Sequence, residues 1–134
     1  MILYAGQVLE KNKNATIIFD VKCSNVLKNF IEENSGVAYM SKTGHSYIKK
    51  NLFEKNALLA GEMSVHIFFK DRWFGFDDAI YAGSRMLEIL SEKEKNSSDI
   101  FSELPQNLST PEINISVSDE NKFQLFTRRE YVSS

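Results

Sequence analysis

The chain has 134 residues, of which 43% are hydrophobic and 25% charged, and its formal net charge is -2. This composition is typical of a globular domain, with room for part of a second, and it excludes a large multidomain enzyme. The small negative charge gives no basis for binding nucleic acid or an anionic membrane surface. The sequence has no bilayer-spanning apolar run, no secretory signal at its start and one cysteine, so we expect a cytoplasmic protein.

The first half of the chain alternates predicted helices and strands. A helix is expected at the start of the chain, and its abrupt beginning suggests that upstream sequence is missing. A second helix follows Ser24 as N-cap and stops near Gly36, and a third opens at His45 or Ser46. Apolar runs predict four strands, over residues 15–21, 37–41, 57–62 and 66–70.

This alternation predicts right-handed crossovers and a mainly parallel sheet. The expected fold is α/β, with a mixed, mainly parallel four-stranded sheet flanked by helices and the fourth strand as an antiparallel edge. We assign residues 1–95 to this domain, 96–110 to a linker and 111–134 to a truncated segment of a further domain. That last segment opens with Pro111 and a period-2 strand pattern.

A long helix is predicted after the paired acids Asp77 and Asp78, because acidic residues favour a helix start. We expect its apolar face to be the stripe formed by Ile80, Gly83, Met86, Leu87 and Leu90. The preceding aromatic run, residues 73–76, is predicted to be a packed loop or a domain interface, since no basic groove accompanies it.

Polar side chains follow the three predicted parallel strands at the point where each strand ends. The carboxyl ends of parallel strands form one edge of the sheet, where open α/β sheets bind ligands. The residues Glu62, Ser64 and His66 alternate on one side of an extended backbone and offer an acceptor, a hydroxyl and an imidazole. We expect five residues to converge at this edge: Lys22, His45, Glu62, Ser64 and His66.

Three other kinds of site are considered for residues in this part of the sequence. A zinc site formed by Cys23, His45, Glu62 and His66 is conceivable, but the spacing matches no established ligand pattern. The pair Asp77 and Asp78 is more typical of a helix cap than of a metal site, so no metal ligand is assigned. Cys23 beside Lys22 fits a buried structural thiol better than a nucleophile.

Four motifs occur in order over most of the chain. They are IFDVKC at 18–23, KTGHS at 42–46, GEMS at 61–64 with His66, and RWFGFDD at 72–78; STPEIN at 109–114 follows. This pattern resembles the third domain of bacterial phosphomannomutase/phosphoglucomutase, of the α-D-phosphohexomutase superfamily, with the entry into the fourth domain.

The resemblance implies an enzyme family that interconverts hexose 1-phosphate and 6-phosphate through a sugar bisphosphate, with a phosphoserine and Mg²⁺. Glu62 and Ser64 match the sugar-recognition motif, which hydrogen-bonds ring hydroxyls. Lys22, His45 and His66 match residues near the phosphoryl-transfer centre. The implied ligand is glucose or mannose phosphate.

The chain departs from the family pattern in several places. The phosphoserine loop, the metal loop and a late phosphate-binding loop belong to other domains, so we expect the isolated chain to be inactive and to carry no cofactor. Val65 and Ala79 stand where the pattern has glycine, and a positive φ at residue 65 would be costly for a β-branched side chain. We expect a phosphosugar-recognition fragment of this enzyme family. The alternative is a non-catalytic interaction module or gene remnant that docks on other mutase domains.

Overall fold

The structure is a computed structural model that describes residues 1–105, 116 and 118. Its helices are α1 (Ile2–Lys11), α2 (Asn25–Glu33), α3 (His45–Glu54), α4 (Ala79–Ser91) and α5 (Ser97–Ser102). Its strands are β1 (Thr16–Asp20), β2 (Val37–Ser41), β3 (Leu59–Gly61) and β4 (Ile67–Phe69). The predicted segment 111–134 lies outside the described residues, apart from Ser116 and Ser118.

The four strands form one sheet in the order β2-β1-β3-β4. Strand β1 pairs in parallel with both β2 and β3, whereas β4 runs antiparallel to β3 at the edge. The predicted α/β class, the mainly parallel sheet and the antiparallel edge strand are therefore confirmed. The predicted boundary at residue 95 stays a prediction, and α5 lies beyond it.

Helices cover both faces of the sheet, because apolar side chains of each strand alternate between two cores. Ile17, Phe19 and Phe69 belong to the larger core, which also contains buried side chains of α1, α2 and α4. Ile18 and Phe68 point to the other face and pack with Ile48 and Leu52 of α3. In the part of the chain that the structure describes, no helix is both long and apolar enough to cross a membrane.

Helix α4 buries a different face from the predicted one. Its buried residues are Ala82, Arg85 and Ile89, whereas Ile80 and Leu87 are 85% and 70% exposed. The predicted stripe was wrong at Ile80, Gly83 and Leu87, which are exposed, whereas Met86 packs against the larger core. The inward face instead carries Arg85, whose side chain is buried and hydrogen-bonded.

The buried arginine belongs to a cluster of five polar residues between α1, α4 and the end of β4. Arg85 donates from Nε and Nη2 to Oε1 of Gln7, at 2.9 and 2.6 Å, and from Nη1 to Oδ1 of Asp71 at 2.9 Å. Gln7 in turn donates to Glu88 at 3.1 Å, and Arg72 forms a two-bond pair with Glu88. We call these residues the α1–α4 polar cluster.

Candidate functional site

The three parallel strands end at one edge of the sheet, and the polar residues that follow them meet there. Glu62 follows β3 and is only 4% exposed. One of its carboxylate oxygens accepts the backbone N–H of Gly44 at 2.6 Å, and the other accepts the hydroxyl of Ser64 at 3.3 Å. Glu62 therefore ties the β3–β4 turn to the loop that precedes α3.

A residue that we did not single out from the sequence lies beneath this edge. Asp20, the last residue of β1, is 1% exposed. Its carboxylate accepts the N–H of Met63 at 3.3 Å, the hydroxyl of Thr43 at 3.3 Å and the thiol of Cys23 at 3.1 Å. Asp20 thus joins the three loops that leave β1, β2 and β3. The signal was available, since a carboxylate ending an apolar strand must find partners when it is buried.

Within the β3–β4 connection, the backbone of Glu62 pairs with that of His66, which leaves a three-residue loop, 63–65, whose last residue has positive φ. Val65 donates its N–H to the carbonyl of Glu62 at 3.1 Å, and Glu62 donates to the carbonyl of His66 at 3.0 Å. Such loops place one residue in the left-handed region, where glycine is favoured. Val65 has φ +70°, which confirms the expected backbone strain. Ala79, the other expected glycine, is the first residue of α4 and lies outside this region.

His66 and His45 face each other at the same edge. The rings have centroids 6.2 Å apart, and Nδ1 of His66 lies 2.6 Å from a carboxylate oxygen of Asp77. A carboxylate at Nδ1 favours the tautomer with the proton there, which leaves Nε2 as the acceptor. His45 is the first residue of α3, as predicted. The importance of Asp77 was missed, because its contact depends on a loop eleven positions further along the chain.

Lys22 and Cys23 lie on the other side of the β3–β4 turn. Lys22 is exposed and lines a cleft together with Glu62 and Met63. Burial raises the pKa of the Cys23 thiol to about 12, and the hydrogen bond to Asp20 adds to this effect. A thiol with this pKa is protonated at neutral pH, which favours the predicted structural thiol over a nucleophile. Glu62 and Ser64 contact each other, and the rings of His45 and His66 lie near each other at the same edge. Lys22 lines the adjacent cleft together with Glu62. The roles of these five residues stay predictions.

The metal alternatives are not supported. Within residues 1–105, 116 and 118, no group of three or more His, Cys, Asp or Glu side chains is placed to hold a metal ion. The paired acids instead have separate roles. Asp78 is the N-cap of α4 and accepts the N–H of Tyr81 at 2.9 Å, while Asp77 contacts His66.

The aromatic loop is packed at one end and exposed at the other. Trp73 stacks on Tyr81 of α4, with ring centroids 4.4 Å apart and an angle of 10° between the rings. Phe74 and Phe76 are 65% and 52% exposed, and their rings lie 6.0 Å apart. The loop therefore presents two aromatic side chains to solvent, next to Asp77.

The fold is an α/β domain with polar loops at the carboxyl ends of its parallel strands, and a comparison with known proteins identifies its family. The family model described as phosphoglucomutase/phosphomannomutase, alpha/beta/alpha domain III, matches residues 1–108. The chain belongs to this family. The predicted resemblance is confirmed.

Several relatives resemble the chain over nearly its whole length. A phosphomannomutase/phosphoglucomutase from Pseudomonas syringae pv. tomato is 54% identical over 97% of this chain and 28% of its own length. A phosphoglucomutase from Neisseria gonorrhoeae is 53% identical over 89% of this chain and 26% of its own. The chain thus spans little more than a quarter of these relatives.

A solved structure shows the same fold. The crystal structure of a phosphoglucomutase/phosphomannomutase family protein from Burkholderia thailandensis superimposes with a TM-score of 0.79. Its sequence is 50% identical, and the match covers 82% of this chain and 24% of the other. The α/β architecture described above is therefore that of the family's third domain.

Proposed function

We propose that this chain is the hexose-phosphate recognition part of a phosphomannomutase/phosphoglucomutase. The observation that carries the proposal is the meeting of Glu62, Ser64, His45 and His66 at the carboxyl edge of the sheet. The names of the relatives support a hexose phosphate as the ligand. Lys22, on the adjacent cleft, supplies a cation that favours a phosphate group.

The hydrogen-bonding capacity of Glu62 and Ser64 fits a sugar with several hydroxyls. A carboxylate has about four lone-pair sites, and the two protein donors to Glu62 leave others for a ligand. Ser64 is exposed and donates to Glu62, so its oxygen can accept from a hydroxyl. We infer that Glu62 and Ser64 bind ring hydroxyls while holding the turn in place.

His66 has the arrangement of a general base. Its Nδ1 is paired with Asp77, so Nε2 can accept the proton of an attacking hydroxyl, and the carboxylate stabilises the imidazolium that forms. His45, with its ring 6.2 Å away, adds a second imidazole near the developing charge. In this scheme Asp77 positions His66 and holds its tautomer.

The described residues do not fit the Mg²⁺ that the family implies, since they contain no ligand cluster for it. We therefore assign this chain the binding of sugar and the movement of a proton, and assign the phosphoryl donor and the metal to other domains. Mutase turnover by the chain alone is not expected.

The second candidate is a module that completes an active site by docking on other mutase domains. The exposed pair Phe74 and Phe76 favours it, because these rings extend from the loop that carries Asp77. Aromatic side chains are enriched in protein interfaces.

A titration of the chain with glucose 1-phosphate and mannose 1-phosphate, followed by amide NMR, tests both candidates. We expect saturable shifts at residues 61–66 and 44–45, weakened at least threefold by Ser64→Ala and unchanged by the control Ser102→Ala. Glucose and inorganic phosphate, titrated separately, should bind more weakly. No response to either sugar phosphate contradicts the recognition proposal, and a response only with a chain carrying the missing loops supports the docking module.

A further inference from the structure

Three phenylalanine side chains form one exposed patch where the aromatic loop meets helix α3. Phe53, on α3, is 47% exposed, and Phe74 and Phe76 are more exposed still. Gly75 brings the loop against the helix, since a Cβ atom at this position would lie 3.1 Å from Cζ of Phe53. The rings of Phe74 and Phe76 lie 6.0 Å apart. The three rings therefore belong to one continuous patch.

Two lysine side chains lie over the rings of this patch. Nζ of Lys49 is 5.4 Å from the centroid of the Phe76 ring, and Nζ of Lys70 is 5.4 Å from the centroid of the Phe53 ring. Lys49 and Phe53 are four residues apart on α3, so they share one face of the helix. We call Phe53, Phe74, Phe76, Lys49 and Lys70 the aromatic–lysine surface.

The loop is held in this position by contacts behind the surface. Gly75 is buried, has φ +74° and donates its N–H to the carbonyl of Phe69 at 2.8 Å. Trp73 stacks on Tyr81 of α4. A surface whose side chains are already held in place loses less conformational entropy when it binds a partner. Exposed aromatic side chains on such a loop are typical of an interaction surface.

The charges of the surface indicate the chemistry of its partner. In the part of the chain that the structure describes, neither Lys49 nor Lys70 forms an ion pair, and Lys70 donates to the side-chain oxygen of Asn56 at 2.7 Å. The carboxylate that follows the loop, Asp77, is paired with His66 instead. The surface is therefore locally positive on a chain whose net charge is -2, and it complements a partner that carries carboxylates.

We propose that the aromatic–lysine surface binds an acidic protein segment. An apolar side chain of that segment packs on the phenylalanine rings, and flanking carboxylates pair with Lys49 and Lys70. Single-stranded nucleic acid is disfavoured, because base stacking needs free ring faces and the ammonium groups already lie over Phe53 and Phe76. The proposal adds the chemistry of the partner to the docking candidate and does not depend on sugar binding.

A titration of the full chain with synthetic peptides, followed by amide NMR, tests the proposal. The probe peptide has a central leucine and tryptophan flanked by glutamates, and the matched control peptide has lysines in place of the glutamates. We expect the acidic peptide to bind at least tenfold more tightly, with shifts at residues 49–53 and 70–76. Its affinity should fall as the ionic strength rises, because the lysines are exposed to solvent.

Substitutions on the surface locate the binding. Lys49→Gln and Phe74→Ala should each weaken the acidic peptide at least threefold, because the first removes a charge and the second an exposed ring. Two controls should leave the affinity within twofold. They are Lys50→Gln, where the lysine is paired with Glu54, and Phe101→Ala, where the ring is exposed on α5. Lys49→Glu should shift the preference toward the lysine peptide. The five substituted side chains are all exposed, so we expect these variants to fold.

Four results overturn the proposal. Equal affinities for the two peptides mean that charge does not select the partner. Tighter binding of a single-stranded thymidine oligonucleotide than of the acidic peptide means that the surface recognises nucleic acid. Self-association of the chain that Phe74→Ala abolishes means that a second copy occupies the surface. No shift with any probe means that the surface binds no such partner. The assay contains no sugar phosphate, so its result is independent of the proposed function.

Discussion

The protein has two polar regions that are built in different ways. In the α1–α4 polar cluster, side chains on or beside regular elements satisfy one another, and Arg85 is 3% exposed. At the edge formed by the strand ends, Glu62 and Asp20 are buried but hold backbone groups of loops, while Ser64 and His45 remain exposed.

This difference separates stability from recognition. The cluster uses its donors and acceptors internally, so it has little left for a ligand and serves to join α1 to α4. The strand-end edge uses buried carboxylates to fix the loops and leaves hydroxyl and imidazole groups for binding. Substitutions in the cluster should therefore change stability, whereas those at the exposed edge should change binding.

The largest effect is expected for Arg85→Met. The change removes the hydrogen-bonding partner of Asp71, whose side chain is only 6% exposed, and leaves this carboxylate with Arg72 alone at 3.8 Å. The Gln7 carbonyl oxygen also loses both of its donors from Arg85. Breaking a buried ion pair from one side costs about 3–5 kcal/mol. Urea unfolding should show this loss, and the control Lys50→Ala, at an exposed i,i+4 pair, should cost less than about 0.5 kcal/mol. A loss for Arg85→Met as small as the control's would show that the cluster is dispensable.

A smaller loss is expected for Asp20→Ala. Three donors from separate loops lose their acceptor, and we expect a cost of about 2 kcal/mol in unfolding free energy. Because Asp20 holds Met63, amide shifts should extend to Ser64 and His66. The exposed control Glu10→Ala should stay within about 0.5 kcal/mol of the starting chain. Unchanged shifts at the β3–β4 turn would mean that Asp20 does not position it.

Val65→Gly should raise stability by about 0.5–1 kcal/mol. Relief of the left-handed strain gives about 1–2 kcal/mol, and the greater chain entropy of glycine offsets about 0.5–1 kcal/mol of it. The control is Asn14→Gly at φ 60°, where asparagine already tolerates this backbone, so a smaller change is expected. A loss of stability in Val65→Gly would show that side-chain contacts of Val65 exceed the strain.

The smallest effect is expected in the stability of the fold at acidic pH. Hydrogen bonds from Arg72 lower the pKa of Glu88 to about 2. A carboxylate with a lowered folded pKa stabilises the fold above its ordinary pKa, near 4.5, and this stabilisation is lost as the pH falls through about 2. Because Glu88 is partly exposed, the effect is screened and modest. Glu88→Gln should flatten the acid side of the stability profile, and an unchanged profile would contradict this assignment.

The sequence predicts the sheet well because strand pattern and topology depend on local apolar runs and on crossover handedness. Strand β2 has the predicted bounds, Val37–Ser41, and Ser24 caps α2 through its contact with Val26. The backbone of residue 65 was also predicted correctly, because the family motif has glycine there and glycine indicates a positive φ. In each instance the deciding information lies within a few residues.

The sequence fails where partners come from distant segments. Arg85 could not be assigned to the inward face of α4 without Gln7 and Asp71, which neutralise and satisfy it. Asp77 likewise contacts His66 only because the loop after β4 folds back toward the β3–β4 connection. These contacts join positions 11 to 78 residues apart, which no local pattern encodes.

The β3–β4 hairpin has an unusual dependence on register, since its strands pair over only three positions, ending with Gly61 opposite Ile67. Side chains alternate along each strand, so a slip of one residue would move every side chain of the slipped strand to the opposite face of the sheet. His66 would then turn toward the cleft that Lys22 lines, and Met63 or Val65 would face the imidazole of His45. The three-residue loop and the carboxylate of Glu62 thus fix the register of the hairpin. This register keeps the polar and apolar surfaces of the domain apart.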